Sequence, residues 1–172
     1  MPVTYQLIAS NVLSSNVASI TFSAIPSTYT DLVLRASVRK NQATTATEFY
    51  IKPNSDSGSN YSFTMVYGTG SVATTSSFAS NTNGLLIRYI DGTSNTANTF
   101  SSSEIYIPNY NSTATKPISS FSVEENNTTS ATMAVQAHLY AGTSAITSLL
   151  IGVPSLTILA GSSFYLYGIK NS

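Results

Sequence analysis

The sequence predicts an all-β protein: a two-sheet antiparallel β-sandwich, jelly-roll-like, of about ten short strands. Three observations lead there. Apolar and polar residues alternate with period two in segment after segment. No apolar stripe at helical spacing occurs. Clusters of Ser, Asn, Gly and Pro punctuate the segments at short intervals. A length of 172 residues suits one domain, 1–172, able to bury its own core.

In chain order the candidate strands begin with TYQLIAS and ASITFSAI, each short and closed by turn-forming residues. DLVLRASVR is the clearest. Leu32, Leu34, Ala36 and Val38 share one face; Val33, Arg35, Ser37 and Arg39 share the other, which two arginines mark as wet. TEFYIKP and GLLIRYI follow, then SSSEIYIPNY, where Glu104 and Tyr106 face water opposite Ile105 and Ile107. ISSFSVEE places the adjacent Glu124 and Glu125 on opposite faces. In TMAVQAHLYA, Thr132, Ala134, Gln136, His138 and Tyr140 oppose Met133, Val135, Ala137 and Leu139. The apolar run Ala145 to Gly161 is broken by Pro154 and four Ser/Thr, which predicts two strands about a turn and not a membrane span. In SFYLYGIK, Tyr165, Tyr167 and Ile169 oppose Phe164, Leu166 and Gly168. Asn54 to Gly84 and Asp91 to Thr99 lack a clear pattern and are expected as surface loops.

Composition narrows the function classes. Only 8% of residues are charged, against roughly 25% in typical soluble domains. A formal net charge of zero disfavours nucleic acid, whose phosphates require Lys and Arg, and anionic membrane surfaces. With no cysteine there is neither a disulfide frame nor a thiolate metal site. MPVTYQLIAS carries no basic and apolar export signal. The N-x-[ST] triplets at Asn60, Asn111, Asn126 and Asn127 are therefore expected by chance in so Asn/Ser/Thr-rich a chain. A neutral, hydroxyl-covered surface without an export signal fits a virion protein assembled in the host cytoplasm and released by lysis.

Catalytic parts are sparse. His138 is the only histidine and is expected as a half-exposed strand residue. One His and no Cys leave the common triads and His-rich zinc sites without most of their members. KPNSDSGSNYS, Lys52 to Ser62, resembles a calcium loop, with Asn54, Asp56 and Asn60 as oxygen donors. Calcium takes six to eight oxygens, normally with two or more carboxylates, and Asp56 is the loop's one acid. The stretch is expected to be a turn, with Gly58 supplying positive φ. No catalytic, metal or cofactor site is expected. The candidate interaction surface comprises this loop's Asn54, Asp56 and Asn60 with Tyr61, Tyr67, Tyr106, Tyr110, Tyr165 and Tyr167. Exposed tyrosines stack on sugar rings or anchor protein interfaces.

TYTDLVLRASVR, SSSEIYIPNY followed by KPISSFSVEEN, and the closing SFYLYGIK together resemble small β-sandwich virion structural proteins of marine and cyanobacterial tailed phages. The resemblance lies in strand-and-turn phrasing and carries no functional residues. It implies a location on the outer surface of a virion. The first expectation is a capsid decoration (cement) protein. It would bind the major capsid protein as a homo-oligomer or symmetric array and stabilise the assembled head. The alternative is a tail-fibre or receptor-binding module that holds a host surface glycan.

Overall fold

The computed structural model describes residues 4–128 and 130–170. Twelve strands are present: β1 (Tyr5–Val12), β2 (Ser19–Phe22), β3 (Asp31–Val38), β4 (Thr47–Pro53), β5 (Tyr61–Gly68), β6 (Ala73–Asn81), β7 (Leu85–Ile90), β8 (Ser101–Ile107), β9 (Lys116–Glu125), β10 (Ala131–Tyr140), β11 (Leu149–Gly152) and β12 (Ser163–Ile169). They form an eight-stranded sheet, β1-β12-β3-β8-β9-β10-β5-β6, and a four-stranded sheet, β2-β11-β4-β7. Every strand pair is antiparallel.

The connectivity is that of a jelly roll with an extension. β1 pairs with β12, β2 with β11, β3 with β8 and β4 with β7, as when one long hairpin is rolled into two facing sheets. Two hairpin-like insertions lie outside this scheme. β5 and β6 interrupt the chain between β4 and β7, and β9 and β10 interrupt it between β8 and β11. β9 adds to β8, and β10 then pairs with β5, so both insertions widen the same sheet.

The core fills the space between the two sheets. Leu32, Leu34, Ile105, Ile107, Phe164 and Leu166 of the large sheet meet Phe49, Ile51, Leu85, Ile87, Leu149 and Ile151 of the small one. Phe49 and Phe164 meet edge to face at 6.3 Å across the layers. Gly168 occupies a core-facing position because a Cβ there would lie 2.3 Å from the ring of Tyr29.

Several expectations need correction. Asn54 to Gly84 is not a loop, since it holds β5 and β6. The run Ala145 to Gly161 forms one strand, β11; beyond Pro154 only Ile158 makes isolated bridges. The wet face of DLVLRASVR holds at Arg35 but not at Val33 or Arg39, which are buried. Val33 is flanked in register by Tyr106 and Tyr167. The Arg39 guanidinium donates to the carbonyls of Asn95 at 3.0 Å, Thr96 at 2.6 Å and Thr99 at 2.9 Å, so it organises the Asp91–Thr99 loop.

The extension inverts the usual polarity. On β9 and β10 the buried inward residues include, beside the apolar Ile118, Ala134 and Tyr140, the polar Ser120, Ser122, Glu124, Thr132, Gln136 and His138. The apolar Phe121, Met133, Val135 and Leu139 face outward. The cause is β7, the edge strand of the small sheet, which lies over β9 and β10. Its unpaired backbone groups need partners. Gln136 donates to the Leu86 carbonyl at 2.8 Å and accepts from the Arg88 N–H at 2.9 Å. Ser122 donates to the Arg88 carbonyl at 2.6 Å. Side chains of one sheet thus close the edge of the other, and that requires a polar inner face.

Candidate functional site

The outer face of the eight-stranded sheet brings together exposed and half-exposed side chains with binding chemistry. One register row crosses it: Val66 of β5, Val135 of β10, Phe121 of β9, Glu104 of β8, Arg35 of β3 and Tyr165 of β12. Its β5–β9 part, with Met133 and Leu139, is an uncharged apolar block; Val66 and Val135 are each 51% exposed. Its other part changes character. Arg35 Nε donates to Glu104 Oε2 at 2.9 Å, in an exposed ion pair. Arg35 also lies over the ring of Tyr167 at 5.9 Å.

Beside this ion pair runs an open trough of about 370 Å³. Ser37, Ser102 and Ser163 form its floor as the next register row. Arg35, Glu104 and Tyr165 form its wall. Small side chains on three neighbouring strands create the depression, and the larger ones beside it supply an aromatic face, hydrogen-bond donors and acceptors. Arg35, Glu104 and the serine row were absent from the expected surface. Their signal was the alternation already visible in DLVLRASVR and SSSEIYIPNY, which assigns them to one side.

Of the expected interaction residues, Tyr106, Tyr165 and Tyr167 do share this outer face. The Tyr106 hydroxyl donates to Asp31 Oδ2 at 2.8 Å, which fixes the ring. Tyr5 packs on Tyr167 edge to face at 6.4 Å. Tyr61 and Tyr110 are corrections: both are buried. The Tyr61 hydroxyl donates to the Asp56 carbonyl at 2.8 Å, its ring stacks on Tyr140, and burial pushes its pKa far up. The Tyr110 hydroxyl donates to the Pro26 carbonyl. Tyr67 is half-buried and stacks on Tyr89 at 4.7 Å. Tyr89 is the extra residue where β7 slips against β4, with φ +60°, and this bulge aims its ring at β5.

The Lys52–Ser62 stretch is folded in on itself. Asp56 Oδ1 accepts the Gly58 N–H at 2.7 Å and Oδ2 accepts the Asn60 amide at 2.7 Å. These bonds hold its pKa below the usual carboxylate value. Asn54 Oδ1 accepts the Thr147 N–H at 2.8 Å, and its amide donates to the Ala145 carbonyl at 2.8 Å, stapling the loop to the segment before β11. Positive φ falls on Asn54 and Ser55, not on Gly58. A Cβ at Gly58 would come within 2.8 Å of Asn60 Nδ2, so a larger residue there would displace the amide that bonds Asp56. Asn54, Asp56 and Asn60 therefore serve the turn.

The ionisable groups of the inner seam are enclosed. His138 is buried and not half-exposed. Its Nε2 lies 2.9 Å from Ser120 Oγ, while Nδ1 has no hydrogen-bond partner. Burial pulls its pKa down to about 4. The pair has the composition of a nucleophile and base, but no carboxylate orients the ring and both residues lie between the sheets. Glu124 and Asp91 are buried near each other, each with one unpartnered oxygen. Burial first, then the Asp91 charge, pushes Glu124 up to about 8. Burial also raises Asp91. Among the described residues no group of three or more His, Asp and Glu is placed to hold a metal ion.

No protein-family model matches this chain, and no curated protein matches it in sequence.

Proposed function

We propose that this chain is a non-enzymatic structural protein that adheres to a larger protein shell through the outer face of its eight-stranded sheet, as a capsid decoration protein does. The observation that carries the reading is the inverted extension. Val66, Phe121, Met133, Val135 and Leu139 stand outward in one uncharged block while hydroxyl, amide and ionisable groups are turned inward. Contiguous exposed apolar surface of this kind marks interaction sites. Bonds made only to the assembled shell stabilise that shell by mass action. The virion setting rests on the sequence phrasing and on the neutral, hydroxyl-rich composition.

The test uses purified particles and heads that lack the protein. Its abundance in particles should approach that of the coat protein, and the added chain should sediment with deficient heads. Val135→Asp should remain folded and stay in the supernatant. A copy number far below the coat protein, or undiminished binding by Val135→Asp, would sink the reading.

The trough favours a second reading, glycan binding. Tyr165 offers a stacking face, Arg35 and Glu104 a paired donor and acceptor, and the serine row a line of hydroxyls across three adjacent strands. Saccharide binding that is lost in Tyr165→Ala, with low copy number, would support a receptor-binding module instead.

A further inference from the structure

An antiparallel sandwich exposes four strand edges, and each unpaired edge is a template for another strand unless something blunts it. Here they belong to β1 and β6 in the large sheet and to β2 and β7 in the small one. Three are managed. β7 is closed by Gln136 and Ser122. β2 is only four residues long. β1 breaks register between Leu7 and Ala9, and such a bulge twists an edge away from regular pairing.

β6 lacks these devices over Ala73–Phe78; its own bulge is confined to the end of the strand, between Phe78 and Asn81. It runs nine residues, Ala73–Asn81, and all but Asn81 are exposed. It pairs with β5 on one side only. Its register with β5 is continuous from Ala73 to Phe78, and the one shift lies at its end. ATTSSFASN contains no Lys, Arg, Asp, Glu or Pro, the residues that natural edges use for protection.

We infer that β6 is the seam along which a second copy of this chain pairs, β6 against β6, antiparallel, joining two eight-stranded sheets into one. The strand's own chemistry selects a copy of itself as the occupant. A two-fold axis places each residue opposite a residue of the same strand, so any charge would meet a like charge nearby. β6 carries none. Pairing about Ser77 sets Phe78 opposite Ser76 of the copy, and the two Phe78 rings become diagonal neighbours on one face, within aromatic reach. Phe78 is otherwise a large apolar side chain 54% exposed on an edge. Ser77 meets Ser77, and Thr75 meets Ala79, so the other face carries only small side chains that fit without clash. The inference stands on this edge alone and does not rest on the proposed function.

Sedimentation velocity of the purified chain over a concentration series tests it. The wild type should show a monomer–dimer equilibrium. Ser77→Lys and Ser77→Glu should each weaken the dimer about fivefold or more, since a like charge then opposes itself across the axis. Both should melt like wild type when measured as monomers. Mixing the two should restore a heterodimer at least as tight as the wild-type dimer. Hydrogen exchange should show β6 amides protected in the wild type and exposed in either variant. A wild type that stays monomeric throughout, or a dimer indifferent to both substitutions, would overturn the inference. A foreign strand captured by β6 while the chain alone remains monomeric would overturn it too.

Discussion

Gln136 of β10 and Arg88 of β7 join the two sheets: the Arg88 N–H donates to Gln136 Oε1 at 2.9 Å, while the same side chain donates to the carbonyl of Leu86. One amide thereby replaces the neighbouring strand that β7 lacks. The arrangement explains why the widened sheet carries polar inward side chains where β7 lies over it.

Gln136→Leu is expected to be costly although it adds apolar volume to the interior. It strips one donor and one acceptor of β7 of their partners, at about 1–3 kcal/mol each. A loss of about 2–4 kcal/mol in urea unfolding, with the m-value unchanged, is the expected result. A loss below about 0.5 kcal/mol would mean that the edge finds other partners.

Stability should be greatest between about pH 4.5 and 6.5 and should fall on both sides. Glu124 binds its proton more tightly folded than unfolded, because burial raises its pKa from 4.5 to about 8. Its contribution is full below pH 4.5 and is lost as pH rises to about 8. His138 behaves oppositely, with burial lowering its pKa from 6.5 to about 4. Its contribution is full above pH 6.5 and is lost as pH falls toward 4. The two slopes oppose each other between 4.5 and 6.5, leaving Glu124 alone above that interval. There each pH unit removes up to about 1.4 kcal/mol. Melting temperature against pH measures this; Glu124→Gln should flatten the alkaline fall, and His138→Gln the acid one.

What could be read from the sequence follows from which strands have one covered face. The segments that alternate most plainly, β4, β8, β9 and β10, do so because one side of each is buried and the other is more open. β6 is exposed on both sides, so its composition shows no period. β5 does alternate, with Tyr61, Phe63 and Met65 inward, but the turn-rich stretch before it hid the pattern. For β9 and β10 the period was legible and its sign was not. Whether Gln136 or Val135 faces inward depends on β7, which lies opposite them only after both insertions have docked. Tyr61 and Tyr110 were misjudged for a related reason. Pro26, whose carbonyl accepts from Tyr110, is 84 residues away in the chain.

Asp56→Ala should lower stability by about 1 kcal/mol, because the Gly58 N–H and the Asn60 amide lose a charged acceptor in a half-exposed turn. Added calcium should leave the melting temperature of the wild type unchanged. Both carboxylate oxygens already accept bonds within the loop, and no second acid joins them there. A calcium-dependent rise that disappears in Asp56→Ala would refute this.

The last prediction separates attachment from folding. Phe121 and Val135 are neighbours in register on the outer block and contribute little to the interior. Ile105 lies directly beneath the same sheet and is fully buried. Ile105→Ala should cost about 2–5 kcal/mol through the cavity it leaves. Phe121→Ser and Val135→Ser should change the stability of the isolated chain by no more than about 0.5–1 kcal/mol. If the outer block is the attachment surface, these two variants should nevertheless release the protein from particles. The bond they break is apolar, so the wild type should remain bound in molar sodium chloride, where exposed ion pairs such as Arg35–Glu104 are screened, and should leave in urea. Release by salt alone would assign attachment to the few charges. Retention of both serine variants would move it away from this face altogether.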